Sequence, residues 1–580
     1  MSDKEDLKQK VRGGYGIARF LKEYGVEHVF GIPDGHTLGF YDGILRTDGI
    51  EHILLNDERN AAFAADAYAR ISGMLGVCDA GAAGSMNFPV ALSEANGAGS
   101  PVLAIVGLIK SKEMLKNIPH DINVEDTLKP LTKWSGKVLD SEYLPRFLRF
   151  SLKQAINGRP GPVALSIAED IISSKDIRLK YYVPRERGSC AINSCRPSAA
   201  ENEVDRAVKR IRNASQPAIF SGGEAVTSGA FQEVKELSRM LECPVFSTIL
   251  GKGIMKSSDE YYFDTVGLFG EKPNHKFIRK RCDLLIVVGN RLTEDDTANF
   301  KVPTKATKMV QIDIDPAQIG LSYNPCGVVG DPKGVLYSII SKLKKRGIST
   351  SENTQEILST RKENMSELRT DLEDYRKEDR KQWIDAEPIK PQRVLKAISD
   401  NLGEKDYLIT DASSSARWIG AYYPVKSIGR KIVTPRGVGP TGFGVGALIG
   451  TSIYVDAFSS SETKPKKVLF TGDGGLMNGG INEFETLKKL DLDCTIVVIN
   501  NSALGFVKFG QAMLYKKRYY QTDRPNTNFA KLAEAYGGTG VRVEKLQDLD
   551  GKIKNAIESE GFNLVDVVID PWELLPPNNY

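Results

Sequence analysis

Two apolar segments near the C-terminal end are each followed directly by residues that can bind a metal ion and a phosphate group. KVLFTGDGG places Asp473 after one segment, and CTIVVINN places Asn501 after the other. Ligands of open α/β sheets bind beyond the carboxyl ends of the strands, so both turns should face one crevice. A carboxylate, an amide oxygen and glycines at a helix start suit a diphosphate bound with Mg²⁺. We predict Asp473, Asn501 and the main-chain carbonyl of Ala503 as the metal ligands.

An acidic residue near the N-terminal end, Glu58, is the second candidate. It stands between the apolar segment HILLN and the alanine-rich stretch RNAAFAADAYAR. A carboxyl group in an apolar pocket shares a proton more readily than one in water, which suits acid–base chemistry. The helix dipole also favours an acid at a helix N-terminus, so Glu58 alone does not define a site.

Three series of apolar segments and helical patterns must position these residues. The segments are HVFGI, HILLN, GVCDAG and PVLAIVG in the first series, PAIFSGG, CPVFSTI, CDLLIVVGN and MVQIDID in the second, and YLITDA, KVLFTGDG, CTIVVINN and FNLVDVVID in the third. This alternation predicts an α/β fold with three consecutive doubly wound α/β domains and mainly parallel sheets. The expected domains are residues 1–180, 199–345 and 375–580, with a linker at 181–198 and a solvent-exposed helical connection within 342–390.

The composition is typical of a large soluble enzyme. A chain of 580 residues exceeds the size of a single hydrophobic core, and a net charge of +4 predicts no basic surface for nucleic acid. No apolar run reaches the roughly 20 residues of a membrane span, and the charged N-terminus lacks the apolar core of a signal peptide. Seven scattered cysteines and five histidines show no zinc-ligand spacing. We expect a cytoplasmic protein that binds neither nucleic acid nor a membrane.

The strand-GDG-helix-strand-NN unit resembles the cofactor motif of thiamine-diphosphate-dependent enzymes. ERNAAFAADAYAR resembles the stretch in which the family's glutamate contacts the pyrimidine ring, although Asp57 stands where many members have histidine. AGAAGSMN, DASSSARW, TPRGVGPTGFGVGALIG and the LGFV portion after Asn501 resemble further cofactor-binding segments. The resemblance implies thiamine diphosphate and Mg²⁺ as cofactors and Glu58 as the catalytic residue, which promotes loss of the thiazolium proton.

The resemblance also implies a set of cofactor-binding residues. They are Gly84, Asn87, Ser413, Ser414, Ser415, Gly439, Thr441, Gly472, Asp473, Gly474, Gly475, Asn501, Ala503, Gly505 and Phe506. Gly439 would offer its carbonyl to the aminopyrimidine, and the serines would donate hydrogen bonds to the diphosphate. For any one serine, a helix cap or a turn is an equally good interpretation.

Nearly the whole chain resembles the acetohydroxyacid synthase and pyruvate oxidase branch of this family. The resemblance implies a pyrimidine-binding domain, a central domain of the flavin-binding or nucleotide-binding type and a diphosphate-binding domain. It further implies a homodimer or homotetramer with each site between two subunits. The implied reaction is decarboxylation of a 2-oxo acid such as pyruvate and its joining to a second carbonyl compound, giving an acetolactate-type product. Simple decarboxylation, flavin-linked oxidation of pyruvate and a non-catalytic nucleotide-binding scaffold stay open as alternatives.

The central domain leaves the flavin cofactor open. LLIVVGNRL and MVQIDIDPAQIG resemble the parts of the branch that bind the adenine nucleotide of FAD. The implied contacts are Gly289, Arg291, Asp313 and Asp315. Core strands that end in polar turns without a ligand explain these segments equally well.

Three departures from the branch concern the substrate pocket. Gly510 stands where synthases carry a tryptophan and oxidases a glutamate, and Thr441 stands where a bulky apolar residue usually supports the bent cofactor. Glu169 replaces the lysine of a P-K-D segment of the synthases. The resemblance therefore constrains the cofactor chemistry more closely than it constrains the second substrate.

Overall fold

The computed structural model describes residues 10–174, 177–178, 195–351, 353–459 and 464–573. These residues form three six-stranded sheets and one two-stranded sheet, and all neighbouring strands of the six-stranded sheets are parallel. This confirms the predicted α/β fold. Most of the predicted linker at 181–198 lies outside the described residues. Within the described part of the chain, no helix combines the length and apolarity needed to cross a membrane.

The first sheet carries Glu58 at the carboxyl end of a strand. The strands of this region are β1 (Lys10–Val11), β2 (His28–Gly31), β3 (Glu51–Leu54), β4 (Gly76–Gly81), β5 (Val102–Leu108), β6 (Trp134–Val138), β7 (Val163–Ala168) and β8 (Ile177–Arg178). The helices are α1 (Gly13–Glu23), α2 (Leu38–Leu45), α3 (Glu58–Ser72), α4 (Phe88–Ala98), α5 (Val124–Leu128), α6 (Leu144–Ile156) and α7 (Glu169–Ile172). The sheet order is β3-β2-β4-β5-β7-β6, while β1 and β8 form the separate antiparallel pair.

The second sheet lies in the middle of the chain. Its strands are β9 (Pro217–Ser221), β10 (Val245–Ser247), β11 (Tyr262–Thr265), β12 (Leu284–Val288), β13 (Lys308–Asp313) and β14 (Cys326–Val329), in the order β11-β10-β9-β12-β13-β14. The helices are α8 (Glu201–Arg212), α9 (Gly223–Thr227), α10 (Phe231–Leu241), α11 (Lys272–Lys280) and α12 (Pro332–Arg346). The apolar strands are buried along their length, as expected for a parallel sheet covered on both faces.

The third sheet carries Asp473 and Asn501. Its strands are β15 (Tyr407–Thr410), β16 (Ile432–Val433), β17 (Lys467–Gly472), β18 (Cys494–Asn500), β19 (Thr539–Val543) and β20 (Phe562–Val568), in the order β16-β15-β17-β18-β20-β19. A long helix α13 (Thr354–Lys381) precedes this region. The remaining helices are α14 (Pro391–Asn401), α15 (Ser414–Tyr422), α16 (Phe443–Phe458), α17 (Asp473–Met477), α18 (Phe484–Lys489), α19 (Gly505–Leu514), α20 (Phe529–Ala535) and α21 (Leu546–Glu558). Because β17 and β18 are adjacent and parallel, the residues that follow them share one end of the sheet.

The prediction that the connection within 342–390 is exposed to solvent is wrong for one face of α13. Met365, Leu368 and Leu372 are buried there against the second domain. Arg361 is also buried and donates three hydrogen bonds of 2.7–2.9 Å to main-chain carbonyls, one of them that of Ala214. The sequence shows few apolar residues in this helix because arginines contribute to its attachment, with Arg376 of the same helix also bonded to Glu271.

The first and third domains pack through α3 and α16. A Cβ on Gly450 would lie 2.0 Å from the Ala64 carbonyl oxygen, so only glycine permits this approach of the two helices. The rings of Phe63 and Phe443 meet edge to face at 5.2 Å. The small residues of both helices, which the sequence shows as an alanine-rich and a glycine-rich segment, are therefore used for close packing.

A buried ionic cluster joins α3 and α4 to the loop that precedes α16. Arg70 donates to Glu94 Oε1 at 3.0 Å and to the Thr434 carbonyl at 2.7 Å. Glu94 accepts the main-chain amides of Val438 at 2.8 Å and Gly439 at 3.0 Å. Burial alone would raise the pKa of Glu94, but Arg70 and the amides outweigh it and lower that pKa. The cluster fixes the loop that carries Gly439.

Candidate functional site

A cleft of about 660 Å³ opens at the carboxyl ends of β15, β17 and β18. It brings together every cofactor-binding residue predicted in the third domain. These residues are Ser413, Ser414, Ser415, Gly439, Thr441, Gly472, Asp473, Gly474, Gly475, Asn501, Ala503, Gly505 and Phe506. The parallel sheet explains the convergence, because each segment follows a strand that ends at the same side.

Asp473 and Asn501 supply the oxygen atoms that suit a magnesium ion. Asp473 is buried at the start of α17, and burial raises its pKa to about 6 against the opposing effects of the Gly474 amide and Arg524. Asn501 Oδ1 accepts the amide of Ala503 at 3.1 Å, which holds the turn after β18 in shape. One carboxylate, one amide oxygen and one main-chain carbonyl on this turn fit a hard cation that takes its remaining ligands from phosphate and water.

Asp411, which sequence reasoning missed, positions the glycine-rich segment. This buried residue follows β15 directly, and its two carboxylate oxygens accept the amides of Gly442 at 3.0 Å and Gly444 at 2.9 Å. Burial raises the pKa of Asp411 to about 6 despite these hydrogen bonds. An acid directly after a buried strand is the same signal that identifies Asp473, so the sequence YLITDA could have revealed it.

Three arginines that were not predicted also line the cleft: Arg417, Arg436 and Arg524. The Arg417 guanidinium carbon lies 4.1 Å from the centre of the Phe506 ring, a cation–π contact that orients both side chains. Positive charge around the cleft suits an anionic diphosphate. Arg417 and Arg436 lie within the segments DASSSARW and TPRGVG. Their position in these motifs could have predicted that they line the cleft.

The first domain holds the other predicted residues, Glu58, Gly84 and Asn87. Asn87 donates from Nδ2 to Glu58 Oε2 at 2.9 Å, and a Cβ on Gly84 would lie 2.2 Å from Glu58 Oε1. Asp57 caps α3 by accepting the Arg59 amide at 2.8 Å, which accounts for an acid at this position. These residues do not line the cleft of the third domain in the described chain.

Comparisons with known proteins identify the family. Three profiles of thiamine pyrophosphate enzymes match: the N-terminal TPP binding domain at residues 11–127, the central domain at 204–339 and the C-terminal TPP binding domain at 411–567. A probable acetolactate synthase large subunit from Methanocaldococcus jannaschii is 30% identical over 578 residues, which cover 98% of this chain and 93% of the relative. The chain belongs to the thiamine pyrophosphate enzymes.

Other relatives of this thiamine pyrophosphate enzyme have similar names. The acetolactate synthase large subunit of Haemophilus influenzae is 27% identical over 579 residues, covering 98% of this chain and 96% of the relative. The acetolactate synthase of Arthrospira platensis is 28% identical over 586 residues, with the same coverage of both chains. The resemblance seen in the sequence is therefore confirmed, and the chain is an acetolactate-synthase-like enzyme that depends on thiamine pyrophosphate.

Two of the residues implied for flavin line a cavity of about 50 Å³ in this enzyme. Gly289 and Arg291 line it together with Glu224, whose Oε1 pairs with Arg159 Nε at 3.1 Å. Burial and the neighbouring Glu224 raise the pKa of Asp313, because two carboxyl groups share this site. This cavity is smaller than the roughly 300–1,000 Å³ of cavities that bind cofactors.

The remaining flavin contact and a second ion pair complete this arrangement. Asp315 accepts the Ala317 amide at 3.0 Å and so caps a short turn after β13. Arg436 of the third domain pairs with Asp295 of the second domain at the other side of the cavity. Side chains of all three domains therefore line this cavity, and Glu224 adds a negative charge at the start of α9.

The residues that depart from the synthase pattern lie on accessible parts of the enzyme. Gly510 lies on α19, a helix that has no buried residue. Thr441 lines the cleft, and its hydroxyl accepts a hydrogen bond from Asn478 Nδ2 at 2.8 Å. Glu169 starts α7 at the carboxyl end of β7, in the first domain.

The affinity of the enzyme for magnesium diphosphate should depend on the protonation of Asp473. A carboxyl group with a pKa of about 6 is ionised above that pH, and below it protons compete with the metal ion for the carboxylate. The ratio of wild-type to Asp473→Asn affinities for Mg²⁺–thiamine diphosphate should fall about eightfold between pH 6.5 and 5. Calorimetric titration measures both affinities, and the variant corrects for protonation of the cofactor's own phosphate. A ratio that stays constant over this range would contradict a metal-binding role for Asp473.

Proposed function

We propose that the enzyme decarboxylates a 2-oxo acid, with pyruvate as first choice, and joins the remaining acyl group to a second carbonyl compound to give an acetolactate-type product. The observation that carries this proposal is the cleft in which Asp473, Asn501 and Ala503 converge with glycines and arginines. Relatives named acetolactate synthase over 98% of the chain support carboligation rather than simple decarboxylation or oxidation.

In this proposal the chain's own residues bind the cofactors and move one proton. Asp473, Asn501 and the Ala503 carbonyl hold Mg²⁺, and the glycine amides and arginines hold the diphosphate. When bound, thiamine diphosphate supplies a carbon nucleophile and an electron sink. Glu58 shares a proton with the pyrimidine ring nitrogen, and Asn87 orients its carboxyl group through the 2.9 Å hydrogen bond.

We further propose that each site lies between two copies of the chain. Glu58 and the cleft occupy different places in one chain, and a homodimer or homotetramer would allow Glu58 of one copy to face the cleft of another. The proposed division is a pyrimidine-binding domain at 1–180, a central domain at 199–345 and a diphosphate-binding domain at 375–580. Several relatives are named large subunits, which favours assembly with further subunits, and we propose the cytoplasm as the location.

The ion pairs in the central domain support a flavin-independent reaction. Glu224 and Arg159 form an ion pair beside Gly289 and Arg291, two of the residues that the resemblance implies as flavin contacts. The pair of Glu224 with Arg159 links the second domain to the first without a ligand. We therefore propose thiamine diphosphate and Mg²⁺, without FAD, as the cofactor set.

Product analysis with Glu58→Gln tests the proposed reaction. With pyruvate, the wild type should form acetolactate, and the variant should lose at least about 100-fold in kcat because proton transfer contributes 10²–10⁴-fold. Thermal shift with Mg²⁺–thiamine diphosphate should be retained, since the diphosphate ligands are unchanged. Glu142→Gln, on the exposed surface of the same domain, is the control and should match the wild type. Acetaldehyde as the main product, or an active Glu58→Gln, would refute the proposal.

Mixing two inactive variants tests the site between subunits. Co-expressed Glu58→Gln and Asp473→Ala chains form mixed dimers in which one of the two sites has both intact residues. Random pairing makes half of the dimers mixed, so activity should return to about a quarter of the wild-type value. Each variant alone should stay inactive. Mixed dimers that are purified with two different tags and remain inactive would place the complete site in one chain.

Flavin binding provides a separate measurement. The purified protein should carry no flavin absorbance, and added FAD should change neither its thermal midpoint nor the flavin fluorescence. Thiamine diphosphate with Mg²⁺ should raise the midpoint in the same experiment and serves as the positive control. Saturable binding of FAD at micromolar concentration would show that the ion pairs open for a ligand and would disprove the flavin-independent assignment.

A further inference from the structure

A second group of polar side chains lies at the same end of the first sheet as Glu58. Asp34 and His36 follow β2, His120 lies in the segment after β5, and Glu169 follows β7 directly. The sequence does not predict this group, because its members are far apart along the chain and only the parallel sheet brings the ends of these strands together. None of the roles assigned above to the cofactor-binding residues involves these side chains.

The side chains are arranged for proton exchange around His36. His36 Nδ1 lies 3.1 Å from Glu169 Oε2, and the other carboxylate oxygen of Glu169 lies 3.7 Å from Lys110 Nζ. The rings of His36 and His120 meet edge to face at 5.5 Å. One ligand-capable atom each of Asp34, His36 and His120 lies within 4.8 Å of the other two. The charged or titratable neighbours of His36 are thus Asp34, Lys110, His120 and Glu169.

The group and Glu58 both lie at the carboxyl end of the first sheet. A Cβ on Gly81 would lie 2.1 Å from the Asp34 carboxyl carbon, just as one on Gly84 would touch Glu58. Gly81 and Gly84 are three residues apart, so their Cα atoms are separated by at most about 11 Å. The His36 side chain keeps 21% of its surface accessible. Asp34 and Glu58 thus contact neighbouring positions of the chain after β4, and His36 lies on the same side of the first sheet as Glu58.

The proposed reaction requires a proton for the carbonyl oxygen of the acceptor. In joining two molecules of a 2-oxo acid, the bond between the donor's carbonyl carbon and its carboxylate breaks, and carbon dioxide leaves. The electron pair of that bond forms the new carbon–carbon bond to the acceptor. The acceptor's carbonyl π pair moves to its oxygen, which must take up one proton. Two oxo acid anions and one proton thus give one product anion and carbon dioxide, without any oxidant or reductant.

We propose that His36 donates this proton to the acceptor oxygen and that Glu169 is its positioning residue, an inference that rests on the proposed carboligation. The carboxylate of Glu169 at Nδ1 fixes the tautomer and ring orientation, which leaves Nε2 to exchange the proton. His120 and Asp34 lie beside the ring and can return a proton from solvent. Glu169 stands where the synthases have a lysine, and in this arrangement it orients His36.

Two substitutions of His36 separate proton donation from a structural role. In His36→Asn, the side-chain amide can still donate to Glu169 in place of Nδ1, but the group at Nε2 is lost. His36→Asn and His36→Gln should both lower kcat for carboligation about 100-fold or more, with little change in KM and in the thermal shift by Mg²⁺–thiamine diphosphate. Glu169→Gln should shift the pH profile of kcat. If the role of His36 is purely structural, His36→Asn should instead keep the activity of the wild type, because its amide preserves the hydrogen bond to Glu169.

Chemical labelling provides a readout that needs no turnover. Diethyl pyrocarbonate labels accessible imidazoles, and mass spectrometry should show loss of His36 labelling when the cofactors and oxamate, an unreactive analogue of pyruvate, are added. The buried His28 should stay unlabelled in both samples, which shows that the fold is intact. Unchanged labelling together with near wild-type activity of His36→Asn would overturn the inference. Stoichiometric zinc that disappears in His36→Asn would also overturn it, because two imidazoles and a carboxylate would then hold a metal ion.

The outcomes separate this inference from the proposed function. A wild type that forms no carboligation product from any 2-oxo acid refutes the proposed function. In that case, protection of His36 by oxamate is the measurement that tests whether a substrate carbonyl approaches His36. An active wild type with an equally active His36→Asn refutes the role of His36 and leaves the proposed function intact.

Discussion

The carboxylate of Glu94 ties the glycine-rich loop of the third domain to the first domain. It accepts the amides of Val438 and Gly439 while Arg70 compensates its charge from α3. An uncompensated charge at this depth would cost several kcal/mol, so the loop has one low-energy arrangement. The position of Gly439, and with it one wall of the cleft, therefore depends on a residue of the first domain. Cofactor binding and domain packing share this interaction.

The parts of the site that could be predicted are those encoded locally. Asp473 and Asn501 each follow an apolar strand directly, and Glu58 begins a helix directly after one, so a short stretch of sequence contains both the residue and the element that positions it. The same applies to the three sheets, whose apolar segments alternate regularly with helical patterns. The placement of the thirteen third-domain residues in one cleft follows from the rule that parallel strands end at one side.

The parts that could not be predicted depend on segments that are distant in sequence. Arg159 and Glu224 are 65 residues apart, and the sequence does not show that they form an ion pair at the edge of the central domain. The strands of that domain look the same with or without a ligand. The buried face of α13 could not be predicted for a similar reason. From the sequence, Arg361 is expected to be a solvent-exposed charge, because the carbonyls that it contacts lie far away along the chain.

Helix α19 contributes Phe506 to the cleft but buries no side chain of its own. Substitution of Phe506 or Val507 changes the shape of the cleft without creating a cavity in the core of the single chain, so its effect on the free energy of unfolding of that chain should stay within about 0.5 kcal/mol. Substitutions in β17 or β18, by contrast, act on both the cofactor and the core. Evolution can therefore explore new acceptor substrates through α19 at almost no risk to folding, while the residues that hold the cofactor remain under constraint. The departures of this chain from its relatives near Gly510 are the kind of change that such freedom permits.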